Sequence, residues 1–234
     1  MKQQSKKIIE DLLEIITKTG DMDMELIKRD LNRVLFMESI NPSKKFSMYA
    51  YCDKSSYTIY HHGVFHDPKD KLAVVTDGHI LCYSKENYVE SFDGKVIDQY
   101  ENTIDCFFPN WRYVTNGLEK SGDKYHFKTL DLDKIDIEYR KAKVWASVNL
   151  KKVKSAREKE GKMLFNIDNN YFTIENIRKI SLALREFAVD GINVCDDYEK
   201  GRAAFYMDDE NGVLIMPVAY DKYEEKNGFY VVKL

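Results

Sequence analysis

Four of the five histidines, His61, His62, His66 and His79, lie close in sequence to Asp67 and Asp77. Imidazoles and carboxylates bind zinc-type metals and serve as general acids and bases. A metal-dependent hydrolase built on His62, His66, Asp67 and Asp77 is therefore one function to weigh. The spacing works against it. On a strand, His62 and His66 share one face while His61 points away, and the Asp67-Pro68 turn then redirects the chain. The pairs Asp196-Asp197 and Asp208-Asp209 suggest two-metal chemistry, but adjacent acids on strands or turns point apart. The sequence contains no GxSxG elbow, no reactive-cysteine signature and no glycine-rich phosphate loop, with only 11 glycines in all. The reading is non-enzymatic, with no catalytic residue, metal site or cofactor assigned. Asp77-Gly78-His79 is then a bend between two strand-like runs.

The elements that must position these residues follow from periodicity. Ile8, Ile9, Leu12, Leu13, Ile15 and Ile16 recur at helical spacing before Gly20, and Leu26, Ile27, Leu31, Val34 and Leu35 form a second helical face closed by Asn41-Pro42. Short runs rich in aromatic and β-branched residues follow at 47–51, 57–60, 72–75 and 80–83, separated by turn chemistry. These predict an antiparallel meander. The polar run 115–123 reads as a boundary or long connection. Beyond it the pattern predicts a helix over 131–143, a charged segment over 151–162 and a strand at 163–167. A helix capped by Asn170 then carries Ile174, Ile177, Ile180, Leu184 and Phe187 in one stripe, before strands at 192–194, 203–206 and 213–216. The sum is an α+β protein of two related halves, 1–118 with an extra N-terminal helix and 119–234 with a short C-terminal tail.

The 234 residues are 44% hydrophobic and 32% charged, with a net charge of -3. No global field draws such a chain to nucleic acid or an anionic membrane. Cys52, Cys82, Cys106 and Cys195 form no CxxC, which fits reduced thiols in a cytoplasmic protein. The N-terminus does not read as a signal peptide, and no run approaches the ~20 apolar residues of a membrane span. One basic stretch stands out, carrying Arg140, Lys141, Lys143, Lys151, Lys152, Lys154, Arg157 and Lys159. It reads as a solvated loop or as a surface that meets phosphates without reading base sequence.

Several separated motifs together resemble one family. Val74-Val75-Thr76-Asp77-Gly78-His79-Ile80-Leu81 resembles the ATDGHRLA stretch of the bacterial sliding clamp, the β subunit of DNA polymerase III. Tyr60-His61-His62-Gly63-Val64-Phe65 is similar to that family's YLNGMLFE strand. Phe108-Pro109-Asn110-Trp111-Arg112-Tyr113-Val114 resembles FPDYRRV, and Val213-Leu214-Ile215-Met216-Pro217-Val218 resembles YVVMPM. Order and relative placement agree over residues 26–218. The resemblance implies a DNA-clamp-like fold, antiparallel sheets with packed helices, in a shortened and divergent member acting in DNA replication or repair.

In the clamp family three of those segments, the ATDGHRLA turn, FPDYRRV and YVVMPM, converge on a hydrophobic pocket that takes short linear peptides from polymerases, the clamp loader and repair proteins. Carried over, the pocket comprises Thr76, Gly78, His79 and Leu81, then Pro109 and Val114, then Leu214, Met216 and Pro217. Ile80, Tyr113 and Ala219 stand where the family usually has Arg, which predicts a less basic pocket. The interval 85–107 is shorter than the family's helix and strands require. If the chain forms a ring around double-stranded DNA, two domains per chain imply a homotrimer. Lys28, Arg29, Arg140, Lys141, Lys143, Lys151, Lys152, Lys154 and Arg157 are then the candidates to face the duplex. The alternative is a clamp-fold protein-binding module that does not encircle DNA.

Overall fold

The computed structural model describes residues 47–120, 124–196, 202–218 and 229–234. The expected helices over 8–16 and 26–35, with Lys28 and Arg29, lie outside the described residues, as does Ala219. Twelve strands are described, and the chain is α+β as its pattern predicts. β1 (Val64–Asp67), β2 (Leu72–Thr76) and β3 (Ile80–Ser84) form a meander, extended at its outer side by the short β4 (Val96–Ile97) and β5 (Thr103–Ile104). After helix α1 (Arg112–Lys120) come β6 (Tyr125–Thr129), α2 (Leu132–Asn149), the short α3 (Ala156–Gly161) and β7 (Met163–Ile167). Then follow β8 (Asn170–Thr173), α4 (Ile174–Glu186), β9 (Gly191–Cys195), β10 (Ala204–Met207), β11 (Asn211–Ile215) and β12 (Tyr230–Lys233).

Nine strands make one sheet in the order β5-β4-β1-β2-β3-β11-β10-β9-β6, and three make a second, β12-β7-β8. Every pair is antiparallel except β12–β7, which is parallel. The seam between β3 and β11 joins the two halves of the chain edge to edge, with Leu81 opposite Leu214 and Ile80 opposite Ile215. Helix α4 lies between the sheets, against β11 of the large one and β7 and β8 of the small one, and packs along α2.

Side-chain alternation explains why the central strands are apolar throughout. Ala73, Val75, Ile80, Cys82, Val213 and Ile215 point to the helix side, into a core with Ile135, Phe165, Phe172, Ile177 and Ile180. Leu72, Val74, Leu81, Tyr83 and Leu214 point the other way, into a second core closed by Phe108 and Trp111. Both faces of the large sheet are therefore dry at its centre. Gly212 belongs to that fit, because a Cβ there would sit 2.3 Å from the Tyr83 ring.

Several expectations are corrected. Residues 48–51 and 59–62 are 3-10 turns, Met48–Tyr51 and Ile59–His62, and not strands. Met48 and Tyr51 are buried, and the Tyr51 hydroxyl donates to the Lys179 carbonyl at 2.7 Å. Tertiary packing of aromatic side chains overrides the local strand preference. The polar run after Val114 lies largely within α1, whose Leu118 packs on the second core. Asn170 lies in β8 and does not cap α4; the cap is Thr173, which accepts from the backbone of Asn176. The predicted stripe on α4 is buried as expected. The 131–143 helix is also found, capped by Asp131 and running on to Asn149.

Candidate functional site

The Asp-Gly-His bend is the turn between β2 and β3. Gly78 has φ 87°, a left-handed conformation that suits glycine. Asp77 accepts with one carboxylate oxygen from the backbone N–H of His79 at 2.9 Å and of Ile80 at 2.8 Å. Its other oxygen accepts from Lys179 Nζ on α4 at 3.1 Å. Thr76 Oγ1 donates to the Ile80 carbonyl at 2.7 Å and accepts from Gly78 N–H at 3.0 Å. The His61 ring lies 3.4 Å from where a Gly78 Cβ would stand. Burial pushes the His61 imidazole below its ordinary value. Asp77 is committed to building this turn and tying it to the helix layer.

Across the β3–β11 seam the third segment joins the turn. The N–H of Met216 donates to the His79 carbonyl at 2.8 Å, continuing the strand pairing past Ile215. The middle segment lies over the same face of the sheet, where Phe108 stacks on Phe65 at 4.8 Å and Trp111 meets Tyr83 at 5.2 Å between ring centroids. Asp67, nearly inaccessible at the end of β1, fastens that segment. It accepts from Trp111 Nε1 at 2.9 Å, from Lys69 N–H at 3.0 Å and from the Arg112 guanidinium at 2.5 Å. Arg112 also pairs with Asp70.

The structure thus brings the three segments together, but the nine predicted pocket residues play different parts. Leu81 and Leu214 are buried beside Phe108 and Trp111 and line the dry interior. Gly78, His79, Val114 and Met216 are exposed, with Val114 at 45% and Met216 at 39%, while Thr76, Pro109 and Pro217 are half-buried. Ile80 points into the helix-side core, so its identity does not set the charge of the surface; Tyr113 is exposed. Lys179, Asp67, Trp111 and Arg112 hold the site together. The sequence gives no local signal for them, since their partners lie far along the chain.

The residues of the hydrolase reading do not converge. His62 Nε2 contacts the Ser56 carbonyl at 2.8 Å, and His66 Nδ1 accepts from Val89 N–H at 3.1 Å, its imidazole lowered by burial. Asp67 and Asp77 face the separate partners described above. His61 and His62 lie on a 3-10 turn, so the alternation expected of a strand does not apply to them. Among the described residues no three His, Cys, Asp or Glu side chains come together to hold a metal ion.

The basic stretch divides. Lys141 pairs with Glu138 at 2.6 Å and Lys143 with Glu175 at 3.0 Å, and Arg140 Nε donates to the Asp136 carbonyl at 3.2 Å. Lys151, Lys152 and Lys154 are exposed beyond the end of α2, and Arg157 belongs to α3. The solvent face of α2 also carries Ile137, Val144 and Val148, exposed at 47%, 66% and 61%. No helix among the described residues is long and apolar enough to cross a membrane.

No family model matches the sequence, and no curated protein matches it. Among solved structures, the chain is similar to a DNA polymerase sliding clamp from Pseudomonas aeruginosa, with TM-score 0.46 and 9% identity, over 80% of this chain and 65% of that one. It is also similar to the sliding clamp, DNA polymerase III subunit beta, of Bartonella birtlesii bound to griselimycin. There the TM-score is 0.43 with 14% identity, over 82% of this chain and 65% of that one. The Helicobacter pylori beta clamp bound to a DNA ligase peptide gives TM-score 0.40 and 11% identity, over 79% and 63%. The chain spans less than two thirds of the length of each of these clamps.

Proposed function

We infer that the chain is a clamp-like, non-enzymatic platform protein of DNA replication or repair that holds short linear peptides of partner proteins. In this reading it comprises two clamp-like units, 1–118 and 119–234. The observation that supports it is the meeting of three sequence-distant segments. The Asp-Gly-His turn, the 108–114 segment and the end of β11 carry the motif resemblance, and they adjoin one another through the His79–Met216 hydrogen bond and the core shared by Leu81, Leu214, Phe108 and Trp111. In this reading the peptide-holding surface comprises His79, Met216, Pro217, Pro109 and Val114. Met and Pro walls with exposed backbone polar groups suit Leu or Phe anchors of a peptide at modest affinity.

Titrating a fluorescent clamp-binding peptide with Leu and Phe anchors tests this reading by anisotropy. The wild-type protein should bind in the micromolar range. Met216→Asp should weaken binding by about tenfold or more, a loss of about 1.4 kcal/mol. Equal binding to both proteins, or binding to neither, removes the support.

A second reading, a protein-binding module that does not encircle DNA, is favoured by the solvent face of α2. There Ile137, Val144 and Val148 occupy ground that a phosphate-facing helix would give to cations, and Lys141 and Lys143 are already paired. Sedimentation at micromolar concentration separates the two. A trimer agrees with a ring, whereas a stable monomer agrees with the module.

A further inference from the structure

At the far end of the large sheet from β5, β6 is the edge strand among the described residues, paired with β9 from Tyr125 opposite Cys195 to Thr129 opposite Gly191. Among the described residues its outer backbone edge has no strand neighbour. An edge strand held on one side alone opens more readily than its neighbours, so any second attachment governs how firmly it stays in place.

His126 provides that attachment. Its Nδ1 lies 2.5 Å from Asp196 Oδ1, just beyond the end of β9, and its Nε2 lies 2.9 Å from Asp168 Oδ2, in the turn joining β7 and β8. Lys128, two residues along the same strand, donates to the other Asp168 oxygen at 3.0 Å. Asp168 and Asn169 both adopt left-handed backbone, with φ 48° and 65°, so a tight two-residue turn presents the carboxylate. The cluster therefore ties β6, the end of the adjoining strand and the turn of the second sheet to one ring.

The proton count decides what the ring must be. A neutral imidazole has one N–H and one lone pair, so with a carboxylate at each nitrogen it satisfies one and repels the other. Only the imidazolium donates to both. Among the described residues the charged groups of this cluster are Asp168, Asp196 and Lys128, in which the carboxylates are in excess.

The geometry points to a proton-operated latch, in which protonated His126 fastens the edge strand β6 to the β7–β8 turn and the end of β9, and loss of the proton releases the edge. The hydrogen bonds to Asp168 and Asp196 raise the imidazole above its ordinary value of 6.5, whereas the Asp168 carboxyl is lowered by His126 and Lys128 against the opposing effect of burial. A group raised in the folded state contributes fully below its unfolded value and loses that contribution as pH rises through the folded value. The latch is thus closed in mild acid and weakens on the alkaline side of 6.5.

NMR on the full chain tests this with two readouts. One is the midpoint of the His126 ring titration, assigned by its absence in His126→Gln. The other is the hydrogen-exchange protection of the β6 amides, corrected for intrinsic rate, as a function of pH. The wild type should titrate above 6.5, with β6 protection falling several-fold through the midpoint. Asp168→Asn should bring the midpoint down, and His126→Gln should show β6 protection independent of pH. An ordinary midpoint overturns the proposal, as does β6 protection in the wild type that follows His126→Gln at every pH. If His126→Gln does not fold, the Asp168→Asn comparison decides alone: an unchanged midpoint and unchanged pH profile overturn the latch.

Discussion

Replacing Asp67 with alanine probes how the 108–118 segment is held on the sheet. The carboxylate is only 4% exposed and serves Trp111 Nε1, Lys69 N–H and Arg112 together. Leaving a buried indole N–H without its acceptor costs about 1–3 kcal/mol. Arg112 is 24% exposed and keeps Asp70, so its loss is screened and adds about 1 kcal/mol. The sum is roughly 3 kcal/mol, which at about 2–4 °C per kcal/mol for a chain of this size lowers the melting temperature by roughly 6–12 °C. Asp67→Asn keeps one oxygen to accept from Trp111 but turns an NH2 toward the Lys69 N–H and loses the charge, so its effect should be smaller than that of alanine. The chain has two tryptophans, Trp111 and Trp145, so urea unfolding in a Trp145→Phe background reports on Trp111 alone. A change below roughly 0.5 kcal/mol for Asp67→Ala, the range of an ordinary surface substitution, would refute the reasoning.

Two further outcomes follow from the site and its surroundings. Lys179→Met strips Asp77, whose side chain is 10% exposed, of its cation; it should destabilise the protein by about 2 kcal/mol and speed amide exchange at Met216, whose hydrogen bond depends on the turn. The Cys52 thiol is pushed up to about 11 by burial, so at pH 8 iodoacetamide should modify it in the native protein at least ~100-fold more slowly than in urea, as mapped by mass spectrometry.

Much of the second half was legible because its elements are local. The stripe Ile174, Ile177, Ile180 and Leu184 is a helical period, and Asp131 sits where a cap belongs. The first half was harder because its aromatic runs answer to distant partners. Tyr51 reaches Lys179, and Met48 lies against Cys82, so a stretch with strand composition becomes a 3-10 turn. Helix α1 is similarly hidden, since Thr115, Asn116 and Gly117 look like turn chemistry, while Trp111 and Leu118 find their reason only against the sheet. The bend at Gly78 was plain from Asp-Gly, but its lysine was not. The cluster at His126 was missed altogether, because its acids come from a turn and a strand end far along the chain.

The β3–β11 seam has a consequence for how the protein is made. Its two strands come from widely separated parts of the sequence, yet they form the middle of the large sheet. During synthesis β1, β2 and β3 leave the ribosome long before their partner exists. Until then β3 offers an unpaired apolar ladder, the kind of edge on which nascent chains associate wrongly. The sheet can close only after β11 has emerged. Its yield in the cell should therefore depend on translation rate and on chaperones that shield strands, more than that of a protein whose sheet pairs neighbours in order.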